Sequence, residues 1–197
     1  MLGTLLCSGL LALGAPASLT AGVILAFWIL VTGALHEDGL ADTSDGLWGG
    51  WQRERRLEIM RDSRIGTYGV LALVLSVILR WSALTLIISV SPAVLIVVGA
   101  ASRAGMPPLM YVLDYARSDG LARSTGKPPR WSVIISSLLG LVALVAISPW
   151  MVLAVVVPII CVKIAQDKIG GYTGDILGAT QQLGEIMILA LLLIILV

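Results

Sequence analysis

Four acidic residues and the only histidine of the chain lie within ten positions, in the stretch HEDGLADTSDGLWGG. Three of the acids, Asp38, Asp42 and Asp45, follow one another at spacings of four and three residues. If the apolar helix of 19–35 continues past Leu35, this spacing places all three on one face. Like charges on one face repel one another, so the stripe predicts a cation among the carboxylates. The alternative is a solvated helix end.

Oxygen ligands indicate which cation this would be. Carboxylates favour a hard divalent ion such as Mg²⁺ over zinc, and Mg²⁺ commonly completes its coordination with water and substrate phosphate. A diphosphate substrate is therefore expected. His36 is either a general base or ligand here, or an interfacial hydrogen-bonding residue. Gly39 and Gly46 leave room beside the carboxylates for a closely approaching group.

A second set of charges follows a Gly-Gly break, between residues 52 and 63. Its acids recur at helical spacing, which predicts a second stripe formed by Glu54, Glu58 and Asp62. Glu58 and Asp62 would add metal ligands, while Arg61 and Arg64 would bind phosphate oxygens. The alternative is an amphipathic surface helix with internal ion pairs.

Near the C-terminus, GGYTGDILGATQQLGE (170–185) places a glycine-rich turn before a helix that is expected to begin near Asp175. Backbone N–H groups of such a turn can bind phosphate, so Thr173, Gly174 and Asp175 are candidate substrate-binding residues. Asp175 is alternatively an N-cap or a further metal ligand. The stretch is alternatively a plain loop before the last apolar segment.

These groups must be positioned by membrane helices. The chain is 58% hydrophobic and 13% charged, with a mean hydropathy of +0.98, whereas soluble domains carry about 25% charged residues. Its long apolar runs predict an all-α, polytopic membrane bundle, one domain over 1–197, with about 6–7 transmembrane helices. These runs lie at about 2–15, 19–35, 66–89, 92–112, 131–148, 149–165 and 184–197.

Nearly all charges lie in three polar stretches, 36–65, 103–130 and 163–185. Two apolar segments separate each stretch from the next, so all three face one side, which the positive-inside rule makes cytoplasmic. This one-sided charge favours an enzyme at the cytoplasmic surface over a transporter. Arg80 and Arg103 are either intramembrane, where they would draw in phosphate, or the spans are shorter and Arg80 lies in a turn on the far side.

The same motifs resemble those of the cobalamin synthase, or adenosylcobinamide-GDP ribazoletransferase, family. That family carries a pattern like H-x-D-G-L-A-D-T-x-D-G, and residues 36–46 read HEDGLADTSDG. Further blocks of the family are similar to LEIMRDSRIGTYG (57–69), SR (102–103) with YARSDGL (115–121), and GGYTGDILGA (170–179) with Glu185. Four ordered motifs thus cover nearly the whole chain.

Two features depart from the family pattern. Glu37 stands where an apolar residue is expected, and it lies off the acidic stripe, so we leave it out of the predicted site. The family also normally has a further segment before its first long helix, whereas this chain opens with MLGTLLCSGLLALG.

The resemblance implies a Mg²⁺-dependent, multi-pass inner-membrane transferase that joins α-ribazole, or its 5′-phosphate, to adenosylcobinamide-GDP and releases GMP. Its partners are then these substrates and membrane lipids; a homo-oligomer stays open, and no nucleic acid is expected. The basic stretch 114–130 binds the nucleotide or corrin side chains, or is a plain positive-inside loop. The predicted catalytic residues are His36, Asp42 and Asp45, the metal ligands Asp38, Asp42, Asp45, Glu58 and Asp62, and the substrate-binding residues Arg61, Arg64, Arg103, Arg117, Thr173, Gly174 and Asp175.

The paired acids also resemble, more weakly, those of phosphatidyltransferases that use CDP-alcohols. DTSDG (42–46) has the D-x-x-D-G spacing, but Leu47 and Trp48 follow where that family has Ala-Arg. A lipid phosphotransferase of this kind is the nearest alternative function. A divalent-ion transporter, whose acids would be transport ligands, is the alternative from another class.

Overall fold

The structure, a computed structural model, describes residues 1–117 and 126–196. The all-α prediction is confirmed: apart from one bridge between Tyr115 and Tyr172, these residues form helices and turns. The helices are α1 Leu2–Ala12, α2 Ala17–Val31, α3 Leu35–Gly49, α4 Arg53–Ile59, α5 Thr67–Ile87, α6 Val94–Ala104, α7 Met106–Val112, α8 Arg130–Val145, α9 Val156–Ile169 and α10 Gly174–Leu196, with a 3₁₀ helix at Pro149–Val155.

The chain is a multi-pass membrane protein, with fewer full spans than predicted. By length and composition, α1 and α8 are short apolar helices of 11 and 16 residues, whereas a full span needs about 20. α2 and α3 together are apolar enough for a fifth span, but the chain bends by 84° between them, so they count only as one broken span. The four full spans among the described residues are Thr67–Ile87, Val94–Val112, Pro149–Ile169 and Gly174–Ile195.

The apolar helix of 19–35 does not continue into the acidic stripe, because α2 ends at Val31 and α3 begins at Leu35 after a bend. Gly33 (φ 61°) and Ala34 (φ 57°) both take the left-handed conformation, which ends α2 and redirects the chain into α3. Asp38, Asp42 and Asp45 nevertheless lie on one helix, α3, so their predicted common face is kept.

α3 packs against α10 through an unusually close backbone crossing. A Cβ atom added to Gly39 would lie 2.8 Å from the Asp175 carbonyl oxygen and 3.1 Å from the Gly178 Cα atom. The predicted space beside Gly39 is therefore filled by the backbone of α10. The space beside Gly46 is filled by the Met60 side chain and α4.

The three polar stretches meet at one end of the bundle. Arg53 donates hydrogen bonds to the carbonyl oxygens of Ile169 (2.8 Å) and Ala116 (2.9 Å), and Arg56 donates to that of Lys168 (2.9 Å). These guanidinium groups thus bind carbonyls at the C-terminal end of α9, where helix carbonyls lack intrahelical partners. We call this end, defined by these five residues, the polar end.

An apolar core fills the part of the bundle away from the polar end. It joins α1, α2, α5, α6, α10 and the 3₁₀ helix, because each of them turns buried apolar side chains inward. Representative members are Cys7, Ile24, Leu84, Val98, Met151 and Leu189.

The Gly39 crossing yields a first prediction. Gly39→Ala places a methyl group against the α10 backbone, and such overpacking costs about 1–3 kcal/mol. We expect the thermal unfolding midpoint in detergent to fall by several degrees. Gly9→Ala is the matched control, because a Cβ atom at this helical glycine meets nothing within 4 Å. Equal midpoints for the two variants would show that the crossing is not tight.

Candidate functional site

The acidic stripe of α3 meets the first turn of α10 at the polar end. Asp42 is half-buried, and its electrostatic neighbours include Asp38, Asp175 and Asp45, with Arg117 as the cation. Asp38 is exposed, and its negative charge also repels that of the Asp175 carboxylate. Carboxylates from distant parts of the chain therefore converge, and they outnumber the guanidinium beside them, which favours binding of a further cation.

Asp175 is held by two hydrogen bonds on one oxygen atom. Arg117 Nη2 donates to Asp175 Oδ2 at 2.8 Å, and the Thr173 hydroxyl donates to the same atom at 3.1 Å. The Thr173 hydroxyl also accepts from the Ile176 amide at 3.3 Å, so Thr173 is the N-cap of α10. The N-cap alternative for Asp175 is therefore wrong. The helix does begin beside Asp175 as predicted, with Gly174 exposed at its first position.

Arg117 has hydrogen-bonding capacity left over. Its Nε atom is buried and has no hydrogen-bond partner within the part of the chain that the structure describes. An unsatisfied buried donor on a guanidinium group fits an anionic oxygen such as that of a phosphate. Within the predicted basic stretch 114–130, Arg117, Lys127 and Arg130 are described, whereas residues 118–125 lie outside the described residues.

Asp45 has a structural contact that the stripe did not predict. Its Oδ2 and Oδ1 atoms accept the amide hydrogens of Gly66 (2.7 Å) and Gly69 (2.9 Å) at the start of α5. A Cβ atom on either glycine would overlap this carboxylate. Asp45 thus anchors the N-terminus of α5, where a negative charge is favourable. Its predicted catalytic and metal-binding roles stay predictions and would use the remaining lone pairs.

A polar cleft of about 370 Å³ opens beside Arg117. The structure brings Arg61 and Arg117, both predicted to bind substrate, to this cleft from separate stretches. Glu58, predicted as a metal ligand, also lines it and accepts from Arg55 Nη1 at 2.7 Å. Arg53, Glu54, Leu57 and Ala116 complete the lining.

The second acidic stripe is shorter than predicted. α4 ends at Ile59, so Asp62 does not share a helix with Glu58. Asp62 instead pairs with Arg64, whose Nη2 lies 2.7 Å from Asp62 Oδ2. The hydrogen bonds from the Arg64 guanidinium lower the pKa of the Asp62 carboxyl group to about 2. Arg64, predicted to bind phosphate, is thus engaged in an exposed ion pair.

The five predicted metal ligands do not form one ready-made group. Within the described residues, no set of three or more His, Cys, Asp or Glu side chains converges as a metal site. Glu58 and Asp62 are in ion pairs, which favours the alternative of a surface helix with internal pairs for this segment.

Arg80 lies within the candidate membrane span Thr67–Ile87, not in a turn. α5 continues unbroken through it, and its side chain is 1% exposed. Its Nη1 and Nη2 atoms both donate to Glu37 Oε1 at 3.1 Å, and Nη1 also lies 3.5 Å from Glu185 Oε1. Both carboxylates are buried. Glu37, which we left out of the site, is thus the main partner of Arg80.

Two glutamine residues of α10 extend this buried network. Gln182 donates to Glu37 at 2.9 Å and accepts from the Ser76 hydroxyl at 3.0 Å. Gln181 donates to Glu185 at 2.7 Å and to the hydroxyl of Ser102 on α6 at 3.2 Å. The network therefore joins α3, α5, α6 and α10. An intramembrane arginine requires a counter-charge, which is the sequence signal that could have assigned Glu37.

His36 lies on the network side of α3. It is two residues from Asp38, which is about 200° around a helix of 3.6 residues per turn, and its electrostatic neighbours are Arg103, Glu37 and Arg80. Arg103, predicted to bind substrate, donates from Nη1 to the Gly99 carbonyl at 2.9 Å. Helix geometry thus places His36 away from the face of α3 that carries Asp42, and Arg103 is one of the charged neighbours of His36.

Residues 1–193 match the Cobalamin-5-phosphate synthase family. The chain belongs to this family. No solved structure is significantly similar to it.

Similar proteins carry the name adenosylcobinamide-GDP ribazoletransferase. The one from Bradyrhizobium diazoefficiens is 52% identical over 185 residues, covering 90% of this chain and 71% of the relative. The one from Allorhizobium ampelinum is 44% identical over 201 residues, covering 94% and 77%. The one from Shewanella piezotolerans is 41% identical over 181 residues, covering 85% and 69%. The resemblance inferred from the four motifs is therefore confirmed.

The buried network yields a stability prediction. Arg80→Met leaves Glu37 and Glu185 buried without their cation, and breaking a buried pair in this way costs about 3–5 kcal/mol. Arg55→Met is the matched control, since Arg55 pairs with Glu58 at the surface, where a pair contributes less than about 1 kcal/mol. Unfolding in detergent measures both variants. Losses of equal size would contradict the assigned role of Arg80.

Proposed function

We propose that this chain joins α-ribazole, or its 5′-phosphate, to adenosylcobinamide-GDP and releases GMP, at the cytoplasmic face of the inner membrane. Family membership and the names of the relatives support the reaction. The structural observation that carries it is the convergence of Asp38, Asp42 and Asp175 beside Arg117 at the polar end. This arrangement offers oxygen ligands for a cation and a guanidinium group for a diphosphate in one place.

The reaction is a phosphoryl transfer. A ribose hydroxyl of α-ribazole forms a bond to the phosphorus nearest the cobinamide, and the bond from this phosphorus to the bridging oxygen breaks. The electron pair of that bond leaves with GMP, and the proton of the attacking hydroxyl goes to a base. Such reactions depend mainly on positioning and on neutralising charge.

A magnesium ion fits the chemistry of the donor set. Mg²⁺ in proteins uses one or two carboxylates and takes further oxygens from water and substrate phosphates, so a site completed by the diphosphate needs no larger cluster. Asp42 and Asp175 would hold it, and Asp38 adds negative charge beside them. When bound, Mg²⁺ would supply neutralisation of the diphosphate charge. Glu58 and Asp62 are not needed in this assignment.

The residues of the chain supply binding and proton transfer. Arg117 and Arg61 line the polar cleft and would bind non-bridging phosphate oxygens. Asp175 holds the Arg117 guanidinium in place through the 2.8 Å contact. The proton acceptor is a carboxylate of the polar end, because His36 lies on the opposite side of α3.

Asp42 provides the test of the site. Asp42→Asn should lower GMP release from adenosylcobinamide-GDP and α-ribazole by at least about 100-fold, while the protein still accumulates in membranes. Asp167→Asn is the control, since Asp167 is an exposed acid on α9. An Asp42→Asn variant with wild-type turnover would overturn the site. CMP release from a CDP-alcohol, without GMP release, would favour the lipid phosphotransferase instead.

Metal dependence provides a second test. Removal of divalent ions with EDTA should abolish turnover, and Mg²⁺ should restore it. Loss of one ligand commonly weakens metal binding, so Asp175→Asn should raise the Mg²⁺ concentration for half-maximal activity by about tenfold or more. Glu58→Gln should leave this concentration unchanged. A raised Mg²⁺ requirement in Glu58→Gln but not in Asp175→Asn would show instead that Glu58 is the metal ligand, as the sequence predicts.

A further inference from the structure

The polar cleft has a composition that phosphate binding alone does not explain. Alongside Arg61 and Arg117 it contains the carboxylates of Glu54 and Glu58. Acids repel phosphate, so a pocket for phosphates alone would not include them. Carboxylates in a nucleotide site are explained if they accept hydrogen bonds from donors on the base, because an ionised carboxylate is only an acceptor.

Guanine is the base whose donors match one carboxylate. Its Watson–Crick edge presents two adjacent donors, the N1–H and the 2-amino group, whereas adenine presents an acceptor at N1 beside its 6-amino donor. One carboxylate can accept both guanine hydrogens at once. From adenine it can accept only a hydrogen of the 6-amino group, and its second oxygen is repelled by the lone pair of N1. A carboxylate therefore selects guanine over adenine.

Glu54 is the carboxylate that is placed to do this. Glu58 Oε2 is engaged by Arg55 at 2.7 Å, whereas the contact from Arg53 Nη1 to Glu54 Oε1 is longer, at 3.6 Å. Arg53 is itself held by main-chain carbonyls of Ile169 and Ala116, so it forms a fixed wall. The Glu54 side chain is 78% exposed and can turn toward a ligand in the cleft.

We propose that the polar cleft binds the guanine base of the nucleotide substrate, with Glu54 accepting from N1–H and the 2-amino group. Leu57 and Ala116, which line the cleft from separate parts of the chain, would supply apolar surface for the purine ring. Arg117 lines the cleft and also contacts Asp175 at 2.8 Å. The phosphates of a nucleotide whose base lies in the cleft would therefore point toward Asp175 and the neighbouring Asp38 and Asp42. This assignment rests on the proposed function.

Binding of free nucleotides to the purified full-length protein tests the assignment. Wild-type protein should bind GDP at least about tenfold more tightly than ADP. With ADP, one hydrogen bond to the Glu54 carboxylate is lost and the lone pair of adenine N1 faces that carboxylate. In Glu54→Gln, the side-chain amide can accept from the adenine 6-amino group and donate to N1. The ratio of GDP to ADP affinity should then fall by about tenfold or more, with ADP binding improved.

The ratio separates base recognition from a plain charge effect. If Glu54 acted only by repelling phosphate, Glu54→Gln would strengthen GDP and ADP binding equally and leave the ratio unchanged, which would overturn the proposal. Asp167→Asn removes the same charge from an exposed acid on α9 and should not change the ratio. A fall in the ratio for Glu58→Gln but not for Glu54→Gln would also overturn the assignment.

Turnover distinguishes this proposal from the function on which it rests. With adenosylcobinamide-GDP, Glu54→Gln should raise KM while kcat stays within about twofold, because the base interaction contributes equally to substrate and transition state. If the wild-type protein releases no GMP, the proposed function fails. If the wild type turns over and Glu54→Gln has an unchanged KM, only the guanine site fails.

Discussion

Arg80 imposes the constraint on which the arrangement of the bundle depends. Arg80 belongs to an apolar helix, and its guanidinium group is buried between helices, where its charge must be neutralised. Glu37 does this from α3 and Glu185 does it from α10, so three helices are fixed at one depth. Because neighbouring residues of a helix differ by about 100° in direction, turning Glu37 into the interior directs Asp38 and Asp42 away from it. A buried charge thereby orients the acidic stripe.

α3 is held along α5 at both of its ends. Glu37 contacts Arg80 in the middle of α5, and the Asp45 carboxylate accepts the amides of Gly66 and Gly69 at its start. The Gly39 crossing then brings α10 close enough for Asp175 to join the stripe. The carboxylates at the polar end are therefore positioned by contacts that lie along α3 and outside the cluster itself.

Much of this arrangement follows from the sequence, and the rest depends on tertiary contacts. Helical spacing was sufficient for the stripe of Asp38, Asp42 and Asp45, and charge distribution was sufficient for the meeting of the three polar stretches. The break at Ala34 was not predictable, because alanine rarely takes a left-handed conformation without tertiary support. The Glu37 assignment required knowing that α5 would present Arg80 beside it. The end of α4 at Ile59, which separates Asp62 from Glu58, likewise has no strong local signal.

The acids of this chain lie in two distinct surroundings, and they differ in exposure: Glu37 and Glu185 are buried, whereas Asp38 is exposed and Asp42 is half-buried. In the interior, Glu37 and Glu185 share Arg80 and the amides of two glutamines, while Glu37 Oε2 and Arg80 Nε have no hydrogen-bond partner among the described residues. At the polar end, Asp38, Asp42 and Asp175 have Arg117 beside them, and one of its donors is unsatisfied among the described residues. Excess carboxylate calls for a cation, and the spare guanidinium donor calls for an anion. A diphosphate bound together with a divalent ion meets both requirements at once, whereas either one alone leaves a charge unbalanced.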